Sequence, residues 1–411
     1  MIPRKYAPGL LRQAGDHTVS VLIGSRQVGK STLLEMLRAE LARGSEFYNL
    51  ENPLHLALFN EGYTSFIRQV REKLVFIDEF QYCQGISSVF KAVYDLRPDI
   101  KIYASGSSSL EIQAQLKESL AGRKRETVIY PLTFGEWLVG VDEGLSRTGS
   151  IDEVSRVDEM DMYGRHLGDF IRYGALPGLT ALSDELEKRE YLFGIYQTYI
   201  AKDIKSFLKD ESVLSFNKML SWLALHNGAL LNKNTLATAS GVSSRQIDRY
   251  LEVLQGTFVV SLLPPLSSNK GKELVKTNKF YVYDQGVVNS IVQDFRPLDA
   301  RPDSGMLREA FVFWELKKHM DIRHSLKYWR TADGSEVDFV LEKDRELLPI
   351  EVKSSWKAGK IPSGLSTFFR YYPEARSGVV LYEGPETTVV HEGRAVHFAP
   401  LYKAGRVVEA L

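Results

Sequence analysis

The sequence predicts an α/β chain in several domains. A P-loop parallel sheet with a helical lid comes first, then a winged helix, then a C-terminal α/β domain of a different pattern. Three features point that way. A short apolar run, Val19 to Ile23, enters Gly24-x-x-x-x-Gly29-Lys30-Ser31, and an amphipathic helix (Leu33, Leu34, Leu37, Leu41) follows at once, which is the strand–loop–helix context this glycine pattern requires. Residues Thr235 to Leu254 carry the spacing of a helix-turn-helix. Beyond residue 300 the periodicity changes again, to one helix followed by three strand-like runs that hold Asp338, Glu351 and Lys353.

The bulk composition agrees with a multidomain chain. At 411 residues it exceeds one ordinary core, and the pattern divides it into residues 1–140 (nucleotide domain), 141–225 (helical lid), 226–297 (winged helix) and 298–411 (C-terminal domain). Hydrophobic residues make up 44% and charged residues 25%, as in globular proteins with a sizeable interior. Lys plus Arg and Asp plus Glu number 52 each, so a nucleic-acid surface would have to be local rather than global. The single cysteine, Cys83, excludes internal disulfides and Cys-based zinc sites and fits a reducing compartment. No apolar leader opens the chain and no run of 18 apolar residues interrupts it. These features lead us to expect a cytoplasmic protein with no membrane partner.

In the P-loop, Gly24 and Gly29 let the backbone wrap so that the N–H groups of Ser25, Arg26, Gln27, Val28 and the helix start at Lys30, Ser31 and Thr32 face phosphate oxygens. Lys30 is expected to reach the β- and γ-phosphates of ATP, and the Ser31 hydroxyl to ligate Mg²⁺. Residues 46–51 read as a short strand and 53–72 as helix. Lys73-Leu-Val-Phe-Ile-Asp78-Glu79 then reads as a buried parallel strand ending in two acids, at the sheet edge where α/β proteins keep their sites. Asp78 is expected in the Mg²⁺ shell and Glu79 as the general base that polarises the attacking water. A further strand, residues 100–105, runs into Gly106-Ser-Ser-Ser109, and Gly122-Arg123 precedes the strand 126–130 and the segment Pro131-Leu-Thr-Phe-Gly-Glu136.

Together, Gly-Ser-Arg-Gln-Val-Gly-Lys-Ser-Thr, Asp-Glu-Phe-Gln, Gly-Ser-Ser-Ser, Gly122-Arg123 and Pro131-Leu-Thr-Phe-Gly-Glu136 resemble a family of prokaryotic AAA+ ATPases whose members carry a separate C-terminal domain of unknown function. The resemblance covers nearly the whole chain. It implies a residue that orients the lytic water at the end of the strand beside Asp78, with Ser107 the first choice and Ser105 and Ser108 the alternatives. It also implies that Arg123 is an arginine finger and that the chain forms a homo-oligomer with ATP sites at or near subunit interfaces. Phe170 to Gly178 and Tyr199 to Ile204 match the same pattern inside a helical region at about 161–225, where Arg172 would face the γ-phosphate from the lid. Residues 140–161 read as a polar loop.

In the helix-turn-helix, Leu236 and Ala237 anchor the first helix and Gly241 makes the turn. Ser243 with Gln246 forms a capping box, and Ile247, Leu251 and Leu254 face inward. Arg245 and Arg249 project from the second helix toward DNA phosphates or base edges, with Asp248 and Glu252 against them. A β wing is expected from 257–263 to 279–283, with a lysine-rich tip at 268–279.

In the last third, Gly305 to His319 reads as an amphipathic helix, and strands follow at 326–331, 336–341 and 347–353. Asp338 followed by Glu351-x-Lys353 is the spacing of the PD-(D/E)xK nuclease core, so the region resembles a restriction endonuclease. Side chains two apart on a strand share a face. Glu351 and Lys353 therefore point together, and Asp338 on the neighbouring strand would share Mg²⁺ with Glu351. Glu309 matches the acidic helix residue that many such nucleases carry. The function expected is an ATPase coupled to binding, and metal-dependent cleavage, of DNA. The alternative is an ATP-gated switch whose C-terminal domain docks a protein and cuts nothing.

Overall fold

A short helix, α1 (Ala7–Arg12), leads to β1 (Val19–Gly24), a strand buried along its whole length. The structure, a computed structural model, describes residues 2–41, 44–107, 119–142, 157–198, 213–267 and 277–409. The chain separates into two compact units. One comprises Met1–Leu132, Leu176–Gly178 and Glu252–Val259, and the other Thr133–Ala175, Leu179–Leu251 and Val260–Leu411.

In the first unit β1 is followed by α2 (Lys30–Leu41), β2 (Ser45–Asn49), α3 (Pro53–Asn60), α4 (Tyr63–Gln69), β3 (Leu74–Asp78), α5 (Ile86–Leu96), β4 (Lys101–Ser107) and β5 (Lys124–Val128). The five strands form one parallel sheet in the order β2-β3-β4-β1-β5. Because β1 sits between β4 and β5, connections leave its two sides in opposite directions, and the crevice at its carboxyl end is where such sheets bind ligands. Val19, Val21 and Ile23 join Val75, Ile77, Ile102 and Ala104 in one core with Phe90 and Val93 of α5. Leu33, Leu34 and Leu37 bury the apolar stripe of α2. The stretch 53–72, expected as one helix, is two. Asn52 caps the first, and Gly62, at φ +93°, ends it and opens the second, a backbone angle that a continuing helix cannot hold.

The second unit opens with α6 (Phe134–Val141), α7 (Val157–Tyr173), α8 (Glu185–Thr198) and α9 (Val213–Leu225). Next come α10 (Lys233–Ser240) and α11 (Ser244–Gly256), the last turn of which falls within the first unit. Between them Gly241 takes φ +72°, and Ser243 and Gln246 exchange the hydrogen bonds of a capping box. β6 (Val260–Leu263) and β7 (Lys279–Val282) pair antiparallel, and Leu230 bridges Lys279 on the other edge of β7. The lysine-rich tip through Lys276 and the stretch Tyr199–Ile204 lie outside the described residues, as does most of the polar loop.

After α12 (Gln285–Val292) and α13 (Ser304–His319) come β8 (His324–Arg330), β9 (Glu336–Lys343), β10 (Glu346–Val352), α14 (Ser363–Tyr371), β11 (Ser377–Tyr382), β12 (Thr387–His391) and β13 (Arg394–Pro400). Their six-stranded mixed sheet runs β12-β13-β11-β10-β9-β8. A two-residue turn, Asp344 and Arg345, both at positive φ, joins β9 to β10. Such a turn matches the twist of the strands and fixes their register. α14 makes the crossover to the parallel strand β11 and packs Leu365, Phe368 and Phe369 on Val337, Val340 and Val380. Among the described residues no helix is long and apolar enough to cross a membrane.

Candidate functional site

The loop after β1 is shaped by contacts that exclude side chains. A methyl group on Gly24 would lie 2.3 Å from the Ile129 carbonyl oxygen, and Gly29, at φ +90°, would press one against the Arg4 guanidinium at 2.9 Å. Gln27 holds a left-handed conformation between them. Lys30, at the first position of α2, is buried. Its ammonium donates to the carbonyls of Gly24 at 3.1 Å and Ser25 at 2.7 Å, so it lies inside the curl of the loop. Ser25 and Val28 are buried, Arg26, Gly29 and Ser31 are half-buried, and Gln27 and Thr32 are exposed.

Arg4 was not anticipated from the sequence. It is buried and donates to the Val28 carbonyl and the Tyr130 carbonyl, both at 2.7 Å, tying the loop to the segment beyond β5. Only its place near the chain start, far from the loop in sequence, hid it.

Two strands from β1, Asp78 ends β3 with its side chain buried. Its carboxylate accepts from the Ser105 hydroxyl and, at 3.0 Å, from the Glu79 N–H. Among the described residues Ser105, an alternative to Ser107 in the sequence, touches Asp78. Ser107 ends β4 opposite Gly24, its side chain outside the described residues, and Ser108 lies outside them altogether. Glu79 is half-buried in a left-handed backbone conformation, and the Gln81 amide donates to its carboxylate. That conformation turns the chain sharply as it leaves the strand. Gly106 makes room for the bend, since a methyl there would meet Gln81 Oε1 and Phe80 Cζ at 2.7 Å. The donor set of Ser31 and Asp78, a hydroxyl and a carboxylate, suits a hard cation such as Mg²⁺.

Arg123 lies elsewhere. Val19 N donates to its carbonyl, which puts it at the amino end of β1 and β5, the opposite end of the sheet from the loop. Five residues of strand separate the two ends, about 17 Å. Its guanidinium pairs with Asp95 at 2.9 Å over the Tyr94 ring. Arg172, expected at a γ-phosphate, makes a bidentate pair with Glu185 at 2.9 and 3.0 Å.

In the second unit Asp338, Glu351 and Lys353 lie together, and Glu309 is within electrostatic reach of Asp338 and Lys353. The register of β9 and β10 pairs Phe339 with Ile350, the residues next to Asp338 and Glu351, and Val352 N donates to Asp338 Oδ2 at 2.8 Å. Lys353 donates to Glu351 Oε1 at 2.8 Å. Burial, then the Glu351 and Glu309 carboxylates, pushes the Asp338 carboxyl well above its usual range. Burial raises Glu351 too, against the pull of Lys353. Glu351 Oε2 is buried with no hydrogen-bond partner.

Lys279 of β7 was not assigned to this cluster from the sequence. It lies 3.1 Å from Glu309 Oε1 and 2.6 Å from Glu336 Oε1. Burial alone would lower its pKa, but Glu309, Asp338 and Glu336 outweigh that and hold it above the ordinary lysine range. Tyr281 donates to the same Glu309 oxygen at 2.6 Å. The oxygen donors of Asp338 and Glu351 suit a hard divalent cation. Yet among the described residues no three His, Cys, Asp or Glu side chains are arranged to hold a metal ion. Glu309 and Glu336 are engaged by Lys279.

The family model described as "AAA domain" matches residues 16–138. The stretch is an AAA-type P-loop domain. Downstream of the AAA-type domain, residues 164–298 and 304–402 match two domains of unknown function, DUF8612 and DUF4143. Similarity over most of the chain extends to an uncharacterized protein of Haemophilus influenzae, 27% identical over 377 residues, or 86% of either chain. An uncharacterized protein of Mycobacterium tuberculosis is 26% identical over 358 residues, which is 86% of this chain and 74% of the relative. Among solved structures, the Walker-type ATPase of Pyrococcus abyssi superposes with a TM-score of 0.47 at 15% identity, over 71% of this chain and 96% of that one. The RuvB Holliday junction branch migration motor of Thermotoga maritima gives 0.32 at 18% identity, over 64% and 90%.

Proposed function

We propose that the chain is an ATPase that couples ATP binding and hydrolysis in its AAA-type domain to the binding and cutting of DNA. One observation carries the ATPase reading. A buried Lys30 sits inside a glycine loop at the carboxyl end of β1, and Asp78 ends the strand two places away in the same sheet, with Glu79 directly after it. Lys30 exchanges its bonds to Gly24 and Ser25 for the β- and γ-phosphates, and the loop N–H groups and the start of α2 hold the remaining phosphate charge. Ser31 and Asp78 would hold Mg²⁺, which neutralises charge on the phosphate oxygens. Glu79 takes the proton of the attacking water, with its carboxylate aimed by Gln81. Ser105 fixes the carboxylate of Asp78.

Arg123 acts on a neighbouring copy rather than its own. Its place at the far end of the sheet from the phosphate loop supports that assignment, and an arginine supplied in trans is worth about a thousandfold or more. Hydrolysis per subunit is then expected to rise with protein concentration as copies assemble, and Arg123→Ala to flatten the rise. A flat dependence in the unsubstituted chain, across a range where light scattering shows assembly, contradicts the finger.

For DNA, the support is the order helix, three strands, helix, strand from α13 to β11, with Asp338 and Glu351 paired across β9 and β10 and Lys353 beside them. Asp338 and Glu351 would share a divalent cation, which polarises a scissile phosphate. Arg245 and Arg249 on α11, read as the recognition helix of a winged helix, contact the backbone. A second reading is favoured by Lys279, whose ion pairs neutralise Glu309 and Glu336, and by the absence of a three-ligand metal group among the described residues. On that reading the region is a docking module under ATP control. The two separate when purified protein is incubated with Mg²⁺ or Mn²⁺ and linear, circular and branched DNA. Cleavage that disappears in Asp338→Ala and Lys353→Ala is expected. Cleavage surviving both removes the nuclease assignment, and absence of DNA binding at low salt favours the docking module. The one described cysteine, Cys83, is buried and free, as suits a reducing cytoplasm.

A further inference from the structure

Lys279 and Tyr281 are two residues apart on β7 and so point to the same side of the strand. Both reach one oxygen of Glu309 on α13, the ammonium from 3.1 Å and the phenol from 2.6 Å. From the same position the ammonium lies 2.6 Å from Glu336, two residues before Asp338 on β9 and hence on the same face. Only 7% of the Lys279 side chain is exposed, so water screens these pairs little.

The lysine is placed by the backbone. β7 is paired with β6 on one edge, and on the other Gly228 N donates to the Phe280 carbonyl and Phe280 N to the Ala229 carbonyl. Trp314 of α13 donates to the Val282 carbonyl at 2.7 Å, which ties β7 to the helix that carries Glu309. Across the cluster, Glu351 Oε2 remains buried without a partner. Two of the four carboxylates are thus turned toward an ammonium from another part of the chain, while a third keeps an unused oxygen.

From this arrangement we infer that Lys279 is a resident cation that competes with a divalent metal ion for the carboxylates of Asp338 and Glu351, a conclusion that rests on reading those two residues as a cation-binding pair. An ammonium at this distance supplies one positive charge to the carboxylates. A metal ion entering beside it meets both like-charge repulsion and fewer free oxygens. A like charge within a few ångströms disfavours a second one by about ten- to a thousandfold. Cation loading of the site is therefore coupled to the seat of β7, and any movement that lifts Lys279 from the cluster increases metal affinity.

The experiment is calorimetric titration of Mn²⁺ into the nucleotide-free full-length chain. Lys279→Met, which keeps the length of the side chain and removes the charge, is expected to bind Mn²⁺ at least about tenfold more tightly than the unsubstituted chain. Lys279→Arg, which keeps the charge, is expected to stay at the unsubstituted affinity. Adding Glu351→Gln to Lys279→Met is expected to abolish the gain. Equal affinity in the unsubstituted chain and Lys279→Met, or a gain that survives Glu351→Gln, overturns the inference. Should Lys279→Met fail to fold by circular dichroism, amine labelling of the unsubstituted chain read by mass spectrometry serves in its place. Mn²⁺ is expected to raise the labelling of Lys279 as the metal displaces it, and unchanged labelling overturns the competition. A Lys279→Met chain that binds Mn²⁺ tightly and leaves every DNA intact counts against the nuclease reading and supports this one.

Discussion

Replacing Lys30 by alanine is expected to abolish ATP binding, and replacing Glu79 by glutamine to leave binding intact while slowing hydrolysis about a hundredfold or more. The two residues occupy different steps. Lys30 is buried inside the loop and already coordinates two loop carbonyls. Its loss removes both the charge that meets the β- and γ-phosphates and a contact that holds the loop in its curl. Glutamine at 79 keeps the size of the side chain and can still accept from Gln81, but an amide cannot take a proton from water. Binding of a fluorescent ATP analogue and release of phosphate, measured on the same preparations, separate the two effects. Normal turnover by Glu79→Gln would place the general base elsewhere.

Glu315→Ala is expected to destabilise the second unit by about 3–5 kcal/mol. Glu315 and Lys318 of α13 form an ion pair at 3.1 Å in which the side chains are 3% and 2% exposed. Both oxygens of Glu315 also accept from Phe134 N at 3.2 Å, at the first turn of α6, where Thr133 and Glu136 complete a capping box. A carboxylate there meets the positive end of the helix as well as an unsatisfied N–H. Alanine removes the Glu315 carboxylate from buried Lys318 and leaves the Phe134 N–H without its acceptor. A double variant, Glu315→Ala with Lys318→Met, is expected to recover much of the loss, because an apolar replacement of a buried pair is often close to neutral. Urea unfolding of the single and double variants measures both terms. A single variant within about 0.5 kcal/mol of the parent would show the pair to be dispensable.

Much of the nucleotide site was legible in the residues because its parts are local. The glycines, Lys30 and Ser31 lie in one continuous stretch of strand, loop and helix, and four apolar residues before Asp78 and Glu79 mark a strand buried on both faces. The choice among the serines at the end of β4 was not legible, since Ser105, Ser107 and Ser108 are chemically alike. Only the sheet shows that Ser105 lies beside Asp78. The helix expected over 53–72 failed for a related reason. Apolar periodicity continues across Gly62, and only the backbone angle at that glycine shows the break.

By itself the sequence determined the strand, glycine loop and helix from β1 into α2, and the hairpin that carries Asp338 on one strand and Glu351 on the next. Those properties follow from glycine spacing, strand alternation and turn length, which act over a few residues. The tertiary structure decided which groups neutralise which. Arg4 on the phosphate loop, Glu315 at the start of α6 and Lys279 among the carboxylates each pair with a residue at least twenty-four positions away in the chain. Burial makes those pairs strong enough to matter, and burial is set by the packing of the whole unit rather than by any neighbouring stretch of chain.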